Sequence, residues 1–287
     1  MFRQTLVAAA LAVAGFSAQA ADLKLSVYNA DSNSFNVSSV LVAGDKDAVL
    51  IDTGFTRADA YRIAARVLDS GKNLKTIYIS QADPDYYFGA SVLKQIFPKA
   101  ELVAAPEVLA HIKGNVKGKV AFWGPKMGAN APQAKPLLPT ALKADKIMLE
   151  GKTLELRDTK GVMAHRGYVW IPSIRAIVGN VGVYSGMHVW TADTQNDAER
   201  KGWYKQLDDM EALQPEVVVP GHMIAGDKMD VSAIRYTRDY LKTFEAKNAA
   251  TANSAELIEA MKQAYPQAAE VSTLELGAKV RKGEMKW

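Results

Sequence analysis

The chain has 287 residues, 48% of them hydrophobic and 23% charged, a balance that supports a packed core and excludes the disordered and collagen-like classes. A net charge of +4, from 35 basic and 31 acidic side chains with no run of five basic residues, leaves no nucleic-acid footprint. Cysteine is absent, which excludes disulfides, thiolate nucleophiles and cysteine-ligated metal; any metal has to be held by imidazole, carboxylate, phenol, amide or backbone oxygen.

In chain order, residues 1–20 read as a secretory signal peptide. Arg3 supplies the positive start, Leu6 to Phe16 a short apolar run, and Ala18-Gln19-Ala20 a small-x-small cleavage signal. Cleavage near Ala20 predicts a periplasmic or secreted protein. The apolar run is far shorter than the roughly 20 residues that cross a bilayer, and no later segment reaches that length, so no membrane span is expected. Residues 21–287 read as one domain with a helical C-terminal end.

Strands joined by hairpins are predicted over Leu23–Val27, Val37–Val42 and Ala48–Ile51, separated by the Asn/Ser cluster at 33–36 and by Gly44-Asp45. Ala60, Ile63, Ala64, Val67 and Leu68 then recur at helical spacing between Thr56 and Gly71, and Thr76–Ile79 is a strand. Helices over Ala90–Phe97 and Pro106–Lys113 flank a strand over Glu101–Ala104. The Gly-, Pro-, Lys- and Asn-rich stretch from Gly114 to Pro139 reads as a long loop with Phe122-Trp123 exposed in its middle, either functional or a plain surface excursion. Strands resume at Lys146–Leu149, Thr153–Leu156, Tyr168–Ile171 and Ala176–Val178, a helix at Ala198–Leu213 and a strand at Glu216–Val219. Mostly helical sequence closes the chain from Val231.

Three landmarks fall at strand ends in a fixed order: Ile51-Asp52-Thr53-Gly54, the loop from Ser80 to Gly89 (Ser-Gln-Ala-Asp-Pro-Asp-Tyr-Tyr-Phe-Gly), and Val219-Pro220-Gly221-His222. In this order and spacing the chain resembles the metallo-β-lactamase superfamily, whose Asp-x-Gly strand end precedes a His-x-His-x-Asp-His-x-x-Gly loop and whose site is closed by a late Pro-Gly-His. The resemblance covers about Val37 to Gly226. It implies an α/β (α+β) fold, a four-layer αββα sandwich with the site at one edge of its two sheets.

Carried over residue by residue, the resemblance puts Gln81 and Asp83 at the first two histidine positions, retains Asp85, and puts Tyr86 at the adjacent histidine. Counting back from Pro172 places Val162 at the next ligand position, with His165 three residues out of register, and Asn180 at the bridging aspartate. Of these positions only Asp85 and His222 match outright. A metal-bound water has its pKa lowered from about 15.7 to about 7, worth ~12 kcal/mol, and no remaining side chain replaces that effect, so a two-zinc hydrolase is not expected. At most one divalent metal is expected, held by Asp83, Asp85 and His222 with help from Gln81 and Asn180. That oxygen-rich set suits Mn, Fe, Mg or Ca better than a zinc pair.

Asp83 and Asp85 also form a like-charge pair in which one carboxyl can hold a proton, offering acid–base chemistry without metal. A plainer alternative is that Asp83-Pro84-Asp85 shapes a turn and caps the next helix. The expected pocket is built from Gln81, Tyr86, Asn180, His188, Trp190 and Trp123, with Asp193 close to Trp190. His188 serves equally well as a packed loop histidine; His111 reads as surface or core edge, His165 carries little functional weight, and Arg57, Arg62 and Arg66 form a solvated helix face. Two functions follow: a hydrolase of a small ester, lactone or phosphoester, with Asp85 and His222 as catalytic residues and an atypical single-metal or metal-free site, or a catalytically degenerate protein that holds a small ligand in the same pocket.

Overall fold

A computed structural model describes residues 22–287; the leader expected over residues 1–20 lies outside the described residues. Strands β1 (Lys24–Asn29), β2 (Ser38–Ala43) and β3 (Asp47–Ile51) form the antiparallel hairpins expected from sequence. Helix α1 (Arg57–Asp69) begins at a capping box in which the Thr56 hydroxyl accepts from the Asp59 amide and the Asp59 carboxylate accepts from the Thr56 amide. Strand β4 (Asn73–Ile79), helices α2 (Pro84–Tyr87) and α3 (Ala90–Ile96), strand β5 (Glu101–Ala104), helix α4 (Pro106–Met127) and strand β6 (Thr140–Ala141) complete the first half. The six strands lie in the order β1-β2-β3-β4-β5-β6, parallel from β3 onward.

The second half opens with β7 (Lys146–Leu149), β8 (Lys152–Arg157), β9 (Tyr168–Ile171), β10 (Ala176–Val178) and β11 (Tyr184–Ser185). Helix α5 (Asp197–Ala212), strands β12 (Val217–Val218) and β13 (His222–Met223), and helices α6 (Ser232–Ala250), α7 (Ser254–Ala264) and α8 (Val271–Arg281) follow. Its main sheet runs β12-β10-β9-β8-β7, and β11 pairs with β13 in a short parallel ladder.

Side-chain alternation along the strands builds the layers. Val40, Val42, Val49 and Ile51 face the second sheet, meeting Leu154, Leu156, Val169, Ile171 and Val178 in a core between the sheets. Their neighbours Leu41, Ala48 and Leu50 face the other way, packing with Ile63, Val67 and Leu93 of the first helical layer. Ile177, Trp203, Leu207, Tyr240 and Leu274 form the core beneath the C-terminal helices. The result is the αββα sandwich expected from sequence.

One element is corrected. The stretch from Gly114 is not a loop until after Met127, because α4 continues through Gly114, Gly118 and Gly124. Val116, Val120, Trp123 and Met127 recur at spacings of four, three and four and pack against the first helical core, and that tertiary contact outweighs the glycines' low helix propensity. Trp123 is accordingly packed on Phe35 and Phe55, with ring centroids 5.4 and 5.3 Å away. Phe122 alone of the pair is largely exposed.

Candidate functional site

The three sequence landmarks meet at one edge of the sandwich. At the end of β3, Asp52 takes a left-handed backbone conformation, φ 66°, and its carboxylate accepts from the Ser80 amide at 2.8 Å and the Ser80 hydroxyl at 2.6 Å. Burial pushes its pKa up to about 7, against the lowering effect of the Ser80 hydrogen bonds. Asp52 thus fastens the ends of β3 and β4 together from beneath. Thr53 donates its hydroxyl to the Tyr86 carbonyl, and Gly89 lies so close to this strand end that a Cβ there would sit 2.0 Å from the Thr53 carbonyl oxygen.

From the other side, Gly221 delivers His222. A Cβ at Gly221 would lie 1.9 Å from the Asn180 carbonyl oxygen, so only glycine permits this approach. His222 Nδ1 is 2.8 Å from the Phe35 carbonyl, which can only accept, so Nδ1 carries the proton. Nε2 therefore presents its lone pair to the Tyr86 hydroxyl at 3.1 Å, with Asp85 Oδ2 3.5 Å away. Burial lowers the His222 pKa to about 4, only partly opposed by the Phe35 carbonyl, which keeps the imidazole neutral at pH 7. Burial, reinforced by the charge of Asp83, holds the Asp85 carboxyl well above the usual carboxylate range.

The remaining positions carried over from the resemblance are engaged internally. Gln81 donates its amide to the Gly167 carbonyl at 2.8 Å and the Gly179 carbonyl at 3.4 Å. Asn180 donates to the Val219 carbonyl at 2.9 Å and accepts from the Val183 amide at 3.0 Å. Asp83 stands at the N-cap of α2 without making a side-chain capping bond. It turns instead toward Arg166, whose Nη1 lies 3.8 Å from Asp83 and 3.7 Å from Asp193. Arg166 is 3% exposed, its guanidinium carbon lies 5.8 Å from the Trp203 ring centroid, and its Nε and Nη2 have no hydrogen-bond partner. Burial opposes its charge, but the two carboxylates more than offset that and raise its pKa.

Above these groups lies a pocket of about 240 Å³. Asp83, Asp85, Asp193 and His222 form its floor, Phe35, Phe55, Trp123, Trp190 and Trp287 its walls, and Lys119 of α4 also reaches it. Asp193 accepts the indole N–H of both Trp190 and Trp287 at 2.6 Å, which sets those two rings 5.1 Å apart, edge to face.

Most residues singled out in the sequence converge here, at different depths. Asp83, Asp85, His222, Trp123 and Trp190 line the pocket; Gln81, Tyr86 and Asn180 lie beneath or behind its floor, fully buried. His188 does not line the pocket. It is 1% exposed, and its Nδ1 is 2.9 Å from the Tyr240 hydroxyl in the C-terminal core. Val162 is 53% exposed, and His165 stacks on His111 with centroids 4.1 Å apart. Sequence reasoning missed Arg166, the side chain that this segment sends into the site. It also missed Phe35, Phe55, Lys119, Tyr184 and Trp287, of which only Trp287, an aromatic residue at the chain end, stands out in composition.

These donors do not fit the expected metal. Among the described residues no group of three or more His, Asp or Glu side chains is arranged to hold an ion. Asp83 is paired with Arg166, the Gln81 and Asn180 amides are bonded to backbone, and the His222 lone pair faces a tyrosine hydroxyl. The Arg166 guanidinium already supplies the positive charge that Asp83 and Asp193 would otherwise offer to a metal.

A model of the metallo-beta-lactamase superfamily matches residues 33–222. The chain belongs to that superfamily. Solved structures with the same fold include a metallo-beta-lactamase family protein from Thermus thermophilus, 16% identical over 91% of both chains with a TM-score of 0.60. A metallo-beta-lactamase from Pontibacter korlensis is 16% identical over 78% of this chain and 98% of its own, with a TM-score of 0.51. A double mutant of the sec-alkyl sulfatase PisA1 is 17% identical over 85% of this chain and 47% of its own, with a TM-score of 0.58. At these identities the likeness is one of fold. No protein of curated function matches the chain. At the positions carried over from the resemblance, Gln81, Asp83, Asn180 and His222 are engaged by the protein itself, and no described helix is long and apolar enough to cross a membrane.

Proposed function

We propose that this protein is an exported, small-molecule-binding member of the superfamily that works without the family's metal-bound water. The observation that carries the reading is the buried Arg166 guanidinium between Asp83 and Asp193, directly behind the floor of an aromatic-walled pocket. A concave, mostly apolar site with a few fixed polar groups is what a small ligand requires. The pocket is smaller than the ~300–1,000 Å³ typical of drug-sized sites, which points to a compact ligand. Export rests on the leader of Arg3, Leu6 to Phe16 and Ala18-Gln19-Ala20.

One observation favours turnover as a second reading. Asp85 and His222 stand side by side on the floor, a carboxyl group 3.5 Å from an imidazole lone pair, which is an acid–base pair for metal-free hydrolysis of a small ester, lactone or phosphoester. A histidine whose pKa is lowered to about 4 is a weak general base at neutral pH, so simple binding is the better supported of the two.

Thermal-shift screening of the full chain against small molecules, repeated with Trp123→Ala, tests the proposal. Ligands are expected to raise the melting temperature of the parent protein, and the Trp123→Ala response to be lost. Ester or phosphoester hydrolysis that requires added Zn or Mn would contradict it.

A further inference from the structure

Resting on that binding reading, we propose that the ligand is a small organic cation, a protonated amine carried on an apolar body. Three carboxylates, Asp83, Asp85 and Asp193, line one small pocket, and the guanidinium behind them is shared by Asp83 and Asp193. Asp85 has no lysine or arginine within ion-pair distance among the described residues. Its neighbour is His222 Nε2, an acceptor because Nδ1 donates to the Phe35 carbonyl. The floor therefore holds a carboxyl group that no protein cation pairs.

The walls have the complementary chemistry. An ammonium group is attracted to the face of an aromatic ring, most strongly where water is excluded, and Phe35, Phe55, Trp123, Trp190 and Trp287 surround the space above Asp85. The chain's own cations already use this property at the pocket. Lys119 Nζ lies 5.2 Å from the Trp287 ring centroid, and Lys126 Nζ lies 3.3 Å from Phe122 and 5.8 Å from Trp123. A second, independent sign of a missing partner is the Tyr184 hydroxyl. Tyr184 lines the pocket, is 1% exposed, and its hydroxyl has no hydrogen-bond partner, so it is free to accept an N–H. A neutral apolar ligand leaves both Asp85 and Tyr184 unmatched, and an anion meets no unpaired cation on the floor. Among the described residues Lys119 is the one lysine or arginine that lines the pocket, and it stands against an incoming cation.

The test is tryptophan fluorescence titration of the full chain with three probes of similar size: benzylammonium, benzyl alcohol and benzoate. Benzylammonium is expected to bind about tenfold more tightly than the other two. Asp85→Asn should weaken it about tenfold. Lys119→Ala should strengthen it severalfold, because a like charge is removed. Equal or tighter binding of benzyl alcohol or benzoate, or weaker cation binding in Lys119→Ala, would overturn the ligand class while leaving the pocket reading in place. Binding by none of the probes, with thermal-shift hits that persist in Trp123→Ala, would overturn both.

Discussion

At and beneath the floor of the pocket, Gln81, Tyr86, Asn180 and His222 come from strand ends of the two halves and turn their polar atoms toward one another or toward backbone. On its walls, Trp123, Trp190 and Trp287 come from α4, from the segment after β11 and from the chain end, and they line the open space. The floor lies where the family motifs fall, and its groups are largely engaged with each other. The walls carry no motif, yet they hold the surface available to a ligand. On the proposed reading, recognition rests on the aromatic rim, and the floor serves as a structural clamp with one acidic group, Asp85, left over.

Breaking the clamp should have the largest effect. Arg166→Met leaves Asp83 and Asp193 without their shared cation, and a loss of about 3 kcal/mol in urea unfolding is expected. Adding Asp83→Asn to that variant should recover part of the loss, because the two side chains act as a unit. A smaller loss is expected for Gly221→Ala. Its new Cβ meets the Asn180 carbonyl, and shifting the His222 strand end should cost about 2 kcal/mol and weaken ligand binding as well.

The smallest effect distinguishes the site from the remote histidine. His188 has its pKa lowered to about 4 by burial and, secondarily, by Lys262. A group whose pKa is lower folded than unfolded contributes stability above about 6.5 and loses it as pH falls from there toward about 4. His188→Gln lacks this titration. The stability gap between parent and variant should therefore shrink as pH drops from 6.5 to 4, with ligand affinity at pH 7 unchanged, as pH-resolved thermal unfolding and titration would show.

The hairpins, the βα alternation and the site edge were legible because hydrophobic period and strand-end motifs are local signals. Gly89 and Gly221 sit in their motifs because backbone approaches there leave no room for a side chain, and Gly54 because its backbone is left-handed, φ 79°, and a Cβ there would lie 2.8 Å from Asp59 Cβ. Helix α4 was not legible beyond Lys113, since three glycines and Pro125 obscure the spacing of Val116, Val120, Trp123 and Met127, and packing decides. Arg166 escaped because counting back from Pro172 assumes the family's turn length, and that count lands on the exposed Val162. His188 was placed near the site by its position in the chain. Its partner Tyr240 is 52 residues away on α6, a pairing that no local pattern encodes. The separation of floor from wall depends on long-range contacts of this kind.

If the Arg166 guanidinium stands where the family's metal charge would be, the site should refuse a metal ion. Elemental analysis decides this: the full chain, purified without a histidine tag, is incubated with Zn, Mn and Fe in turn and freed of unbound ion. No stoichiometric metal is expected in the parent protein under any of the three conditions. About one equivalent or more per chain, lost in His222→Ala, would contradict the replacement of metal by guanidinium.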